Sequence, residues 1–369
     1  MCGSQSIVCL ILVLICVPAG AVAPNGDIVR LKGHTDAVLS AVISEDGRRV
    51  VTGSNDHSAI IWDVESGRAL QRLVGHAFGV TSVGFSADAS RVVTGSIDHT
   101  ARVWDAKTGE LIAILKGLHR QHVHGASISP DGTRVLTASC DASVALWDVA
   151  TEKPLKVYKH LGEAHAVAFA PDGKTFLSGC RPSGNRNAKE KNLRLYDAAS
   201  GDVLEEFETE AVDNIAYVDG GKRALVVGIW KLSTLDVAAR ALTPSAAHGL
   251  AINTLGPSPD GKQMFIGAPF DANLVELDPK FRTVQSFKAT PGETIRATGI
   301  SPDGKWALMA GGGRNDPWGM GQSQYEPAKD CDVRIVSLLK DFNPAIYVPN
   351  DPRLAEAVGG VSQASQGSR

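Results

Sequence analysis

Twelve side chains in the first 150 residues stand at spacings that invite a chemical reading. His34, His76 and His119 each precede a threonine (Thr52, Thr94 and Thr137) by 18 residues. Each threonine precedes an aspartate (Asp56, Asp98 and Asp141) by four, and each aspartate a tryptophan (Trp62, Trp104 and Trp147) by six. Histidine beside carboxylate and hydroxyl is the raw material of acid–base chemistry and of metal ligation. The same four types also form a closed hydrogen-bond chain. Tryptophan only donates, threonine donates and accepts, neutral histidine does both, and aspartate only accepts. A fully satisfied buried chain fixes one geometry, whereas a half-satisfied one is costly. The set is therefore expected to be structural, and none of these histidines is assigned as a base or a metal ligand.

The elements that must position these residues are short and repetitive. Residues 31–63, 73–105 and 116–149 are copies of one pattern, with tryptophans 42 and 43 residues apart. In the first copy the apolar runs AVLSAVIS, RRVVTGS and SAIIWDV are cut by turns carrying EDGR and NDH, and a fourth run, RALQRLV, leads into the next copy. Alternation bounded by Asp, Gly and Asn predicts antiparallel strands, four to a unit. A period near 40 residues predicts a stacked or radial array of such units.

Gly-His, a strand, a turn, Thr-x-x-x-Asp and then Trp-Asp resembles the WD-repeat family of β-propellers. The resemblance implies an all-β fold, a seven-bladed β-propeller of four-stranded antiparallel blades, and a buried Trp–Thr–His–Asp chain in each well-kept blade. It implies a protein or peptide partner rather than a substrate. Later copies drift. The fourth keeps His160 18 residues before Ser178, but Pro182 replaces the aspartate and Tyr196 the tryptophan, so its polar chain is expected to be broken. The fifth lacks both His and Trp-Asp. The sixth begins at His248 and keeps the Asp271 to Leu277 spacing, and the seventh is TIRATGISPDGKWALMAGG followed by CDVRIVSL. For ring closure, GDIVRL at 26–31 competes with PAIYV at 344–348, and the habit of the family favours the former.

Two departures from the repeat mark candidate binding groups. Long inserts at about 181–191 and 311–331 fall in the same turn of their units. In the family that turn shares a face with the Gly-His loops. The first insert carries Arg181, Arg186, Lys189 and Lys191, and the second Arg314, Trp318, Met320 and Tyr325. Loops on a rigid scaffold are where binding resides, and Trp, Tyr and Arg are enriched in interface hot spots. The second departure is a ring of equivalent positions, Leu39, Thr81, His124, His165, Val212, Asn253 and Arg296, which the resemblance places near the mouth of the central channel. The run HRQHVH has ligand types, but His119 belongs to a polar chain and no Cys or carboxylate partner is evident for His122, His124 and His165. No metal and no cofactor is assigned.

The chain of 369 residues has a formal charge of −3, so net charge implies no nucleic-acid surface. The sequence contains no GxSxG, phosphate-binding glycine loop, HExxH or dinucleotide fingerprint. Residues 7–23, an apolar run ending in small residues, resemble a signal peptide. The expected organisation is a leader over 1–23, a propeller over 24–348 and a disordered tail over 349–369, in an exported, monomeric protein. The alternative is a membrane anchor at 7–23. Cys2, Cys9 and Cys16 fall in the leader, leaving Cys140, Cys180 and Cys331, an odd set with no disulfide framework. The expected function is a non-enzymatic interaction module. The alternatives are a propeller hydrolase or lactonase with its site at the channel mouth, and a structural surface protein.

Overall fold

The computed structural model describes residues 29–182, 190–228, 231–244, 254–267, 271–277, 282–288, 294–312 and 333–338. Within each repeat the strands differ in burial from the inside outwards. The second and third strands of the first blade, Arg49–Ser54 and Ser58–Asp63, are buried at five of six positions, while the outermost, Ala69–Val74, is mostly exposed. The middle strands are covered on both faces by neighbouring blades, which is why they read as near-continuous apolar runs.

The strands form seven four-stranded antiparallel sheets in sequence order. The innermost strands, from Val38–Ile43 to Ile295–Ile300, each contact the next around a closed circle, the seventh against the first. The result is a seven-bladed, all-β propeller. Val29–Leu31 supplies the outer strand of the seventh blade, pairing antiparallel with Val333–Ser337 in the register Val29↔Ile335 and Leu31↔Val333. The N-terminal segment thus closes the ring, and residues 344–348 lie outside the described residues. With the three-residue strand Val29–Leu31 outermost, the seventh blade presents only a short edge. Among the described residues the one helical turn is Asp219–Gly221.

Blade packs on blade through small residues. A Cβ on Gly53 would stand 2.7 Å from Val80, and one on Gly179 would stand 2.2 Å from Val212, each valine belonging to the next blade. In the third blade Ala138 takes the glycine's place, and the residue of the next blade is Ala164 rather than valine. The two lie in one buried cluster with Phe176 and Tyr196. Total volume across the junction is thereby conserved.

The turns away from the Gly-His loops are also built alike. Ser44 Oγ donates to Asp46 Oδ1 at 2.6 Å, Asp46 accepts the amide of Arg48 at 3.0 Å, and Gly47 takes φ of +70°. The same serine–aspartate pair recurs at Ser86/Asp88, Ser129/Asp131, Ser258/Asp260 and Ser301/Asp303.

Candidate functional site

The twelve spaced residues meet as hydrogen-bond chains inside the first three blades. In blade one, Trp62 Nε1 donates to Thr52 Oγ1 at 2.8 Å, Thr52 Oγ1 lies 2.7 Å from His34 Nε2, and His34 Nδ1 lies 2.8 Å from Asp56 Oδ2. Tryptophan can only donate and aspartate only accept, so the chain assigns the histidine proton to Nδ1. Blade two repeats this with Trp104, Thr94, His76 and Asp98 at 2.9, 2.7 and 2.8 Å. Burial alone would raise Asp56 and Asp98. Hydrogen bonds from the histidine and from Ser58 or Thr100 outweigh it and hold both well below the carboxylate range.

Blade three differs at its last link. His119 Nδ1 is 3.6 Å from Asp141 and 3.0 Å from Ser143 Oγ, which itself donates to Asp141. The aspartate is reached through a hydroxyl. Blade four retains more than its sequence suggests. His160 Nε2 meets Ser178 Oγ at 2.8 Å, and Ser178 meets the Tyr196 hydroxyl at 3.1 Å. Tyrosine stands in for tryptophan because its hydroxyl reaches the same point, so the chain expected to be broken keeps three of its four members. What is missing is the aspartate, and His160 Nδ1 is buried without a hydrogen-bond partner. Burial, with Arg194 nearby, pushes His160 down to about 3.

The ring of mouth positions has a structural cause. Leu39, Thr81, His124, His165 and Arg296 are the residues skipped in the pairing of the first two strands of their blades. They are β-bulge residues, and a bulge re-aims one side chain out of the pleat. Blade five corrects the sequence reading. Val212 is fully buried in the core, its side chain where a Cβ on Gly179 would stand. The mouth position there falls to Asp213, which pairs with Arg181 at 2.5 Å. Without a repeat histidine the count was one residue early. Asn253 lies outside the described residues. Arg296 Nε donates to the carbonyl of Gly312 at 3.3 Å.

His124 and His165 stack, with centroids 4.3 Å apart and planes at 13°. Gly125 allows the approach, since a Cβ there would meet the His165 carbonyl at 2.6 Å. His122 stands edge-on to His124 at 6.3 Å, and His99 of blade two lies 6.0 Å from His122. Burial first, then His165, pushes His124 down to about 2, and burial also lowers His165. Two residues the sequence reading passed over complete the group. Cys140 and Glu163 lie beside these imidazoles, with Glu163 Oε2 3.3 Å from His165 Nε2. Both were findable by register: Glu163 stands three after His160 as His122 stands three after His119, and Cys140 follows Ser139 as Asn55 follows Ser54. Cys140 and Cys180 are free thiols. Burial pushes Cys140 up to about 12, the wrong direction for a thiolate nucleophile.

Residues 26–63, 67–105 and 109–148 match the family described as WD domain, G-beta repeat. Among solved structures, that of U3-55K is similar over 85% of this chain and 98% of its own, with a TM-score of 0.69 and 17% identity, a likeness of fold. No curated protein matches the sequence. This chain is a WD-repeat β-propeller. WD-repeat propellers generally mediate protein interactions.

The Gly-His face of this WD-repeat propeller carries a second group absent from the sequence reading. Phe78 and Leu161, in the loops after His76 and His160, are 56% and 63% exposed. Phe78 lies 6.0 Å from the ring of His57 in the preceding blade. Among the described residues the other large exposed apolar side chains lie on outermost strands, as Leu70 and Leu155 do. Of the insert residues, Arg186, Arg314, Trp318 and Tyr325 lie outside the described residues. Lys191 is in the strand Glu190–Asp197 rather than a loop, and pairs with Glu206 at 2.9 Å.

Proposed function

We propose that this WD-repeat propeller is a non-enzymatic interaction module that binds a protein or peptide segment on its Gly-His face, across blades two to four. The observation that carries this reading is the pair of exposed apolar side chains, Phe78 and Leu161, flanking the polar group at the channel mouth on one face. An apolar anchor within a polar surround is the anatomy of a protein-binding patch. His124, His165, Arg181 and Arg296 would supply the polar contacts, and the insert residues Arg186, Arg314, Trp318 and Tyr325 would extend them. The apolar run at residues 7–23 supports an exported protein, so partners are sought in an extracellular or periplasmic fraction.

The test compares wild type with Phe78→Glu/Leu161→Glu as bait in that fraction, with Leu155→Glu on an outermost strand as control. A partner held by wild type and by Leu155→Glu but lost by the double variant is the expected result. A partner lost only with Leu155→Glu would move the site to the sides of the blades.

A further inference from the structure

We propose that the channel mouth between blades three and four is a metal site, in which the Cys140 thiolate and the imidazoles and carboxylate around it hold a divalent ion of the zinc type. Two three-point ligand sets share the Cys140 sulfur. The ligand atoms of His122, His124 and Cys140 lie within 4.8 Å of one another, as do those of Cys140, Glu163 and His165. In tetrahedral zinc sites, bonds of about 2.0–2.3 Å put ligand atoms about 3.3–3.8 Å apart, so side-chain rotation of about 1 Å closes either set. The Glu163–His165 contact, at 3.3 Å, is already at that separation. Either set supplies three ligands and leaves a fourth position for water.

The chemistry of the donors selects the ion. Thiolate and imidazole suit zinc and its neighbours, whereas calcium and magnesium require oxygen ligands. Thiolate and Glu163 carboxylate together offset a charge of two, while Arg181 nearby is paired with Asp213. Binding must displace the Cys140 proton, which passes to solvent. The frame is preformed. His124 and His165 are bulge residues on adjacent innermost strands, and Cys140 directly follows the strand Arg134–Ser139. Cys140, Glu163 and His122 are partly exposed, which leaves an entry path.

The experiment titrates the reduced, metal-stripped full chain with Co2+ and then Zn2+, following the thiolate-to-cobalt charge-transfer band. One Co2+ per chain with that band, displaced by Zn2+, is expected. Cys140→Ser, a near-isosteric change, should abolish the band. His122→Ala, in a partly exposed loop, should weaken Co2+ binding by about tenfold or more. His99→Ala, a neighbouring imidazole outside both sets, should leave binding unchanged. Absence of the band in wild type, its survival in Cys140→Ser, or equal loss in His99→Ala would each overturn the proposal.

Discussion

At the scale of single residues, the polar chains show why histidine, aspartate, threonine and tryptophan at fixed spacing are structural here. Each partner has one role it can play, and the order Trp, Thr, His, Asp satisfies all of them. Asp98→Ala leaves His76 Nδ1 buried without its acceptor and should cost about 1–3 kcal/mol in denaturant unfolding. Asp260→Ala, in an exposed serine–aspartate turn, should cost less. Equal losses would contradict the chain. The aspartates also give a sign to acid unfolding. Asp98 is depressed in the folded state, so its contribution is present above the unfolded value of 3.8 and is lost as pH falls towards the folded value. Asp98→Asn should flatten the stability curve below about pH 4. His160 acts at higher pH. Its folded value of about 3 lies below the ordinary 6.5, so the unfolded chain binds the extra proton in that window and stability falls as pH drops from 6.5 to 3. His160→Gln should make that segment of the curve shallower; an unchanged slope would mean His160 opens to solvent. The tetrads were legible because spacing alone specifies them. The tyrosine of blade four was not, because a chain of types predicts a break where a phenol hydroxyl in fact reaches the serine.

At the scale of elements, the bulge is the unit that turns sequence position into function. One skipped residue in the innermost strand of five blades re-aims a side chain at the mouth. Four of the sequence-derived ring positions in the well-kept blades, and Arg296 in the last, are these residues; the miss at Val212 came where the repeat histidine that anchors the count is absent. The first four blade junctions obey an equally local rule, glycine against valine or alanine against alanine. Ala164→Val alone should overpack the third junction and cost about 1–3 kcal/mol. Adding Ala138→Gly should restore most of that loss, because it recreates the pairing seen at Gly53 and Val80. Chemical denaturation of the single and double variants measures the coupling, and simple additivity would refute the volume argument.

At the scale of the whole molecule, the ring is closed by a strand from the opposite end of the chain. Leu31 in that strand is fully buried with Val333 and Ile335, so Leu31→Ala should cost about 2–5 kcal/mol although the strand has only three residues. Seven blades could be counted from strand rhythm even where His and Trp-Asp have gone, since alternation survives and the Ser-x-Asp-Gly turn persists in the sixth and seventh copies. The proposed binding face was harder to read. Phe78 and Leu161 look like ordinary loop residues until the fold leaves them uncovered, and Cys140 meets Glu163 and His165 only because adjacent blades bring separate repeats together. The inserts at about 181–191 and 311–331 fall largely outside the described residues.

The most direct test of the central claim, that the Gly-His face is the binding face, is photo-crosslinking in an extracellular or periplasmic fraction. A photoreactive side chain would replace Phe78 in one protein and Leu155 in another. A discrete crosslinked partner from position 78 and none from position 155 is the predicted result. Crosslinks from position 155 alone would contradict the account and place the partner on the outer strands.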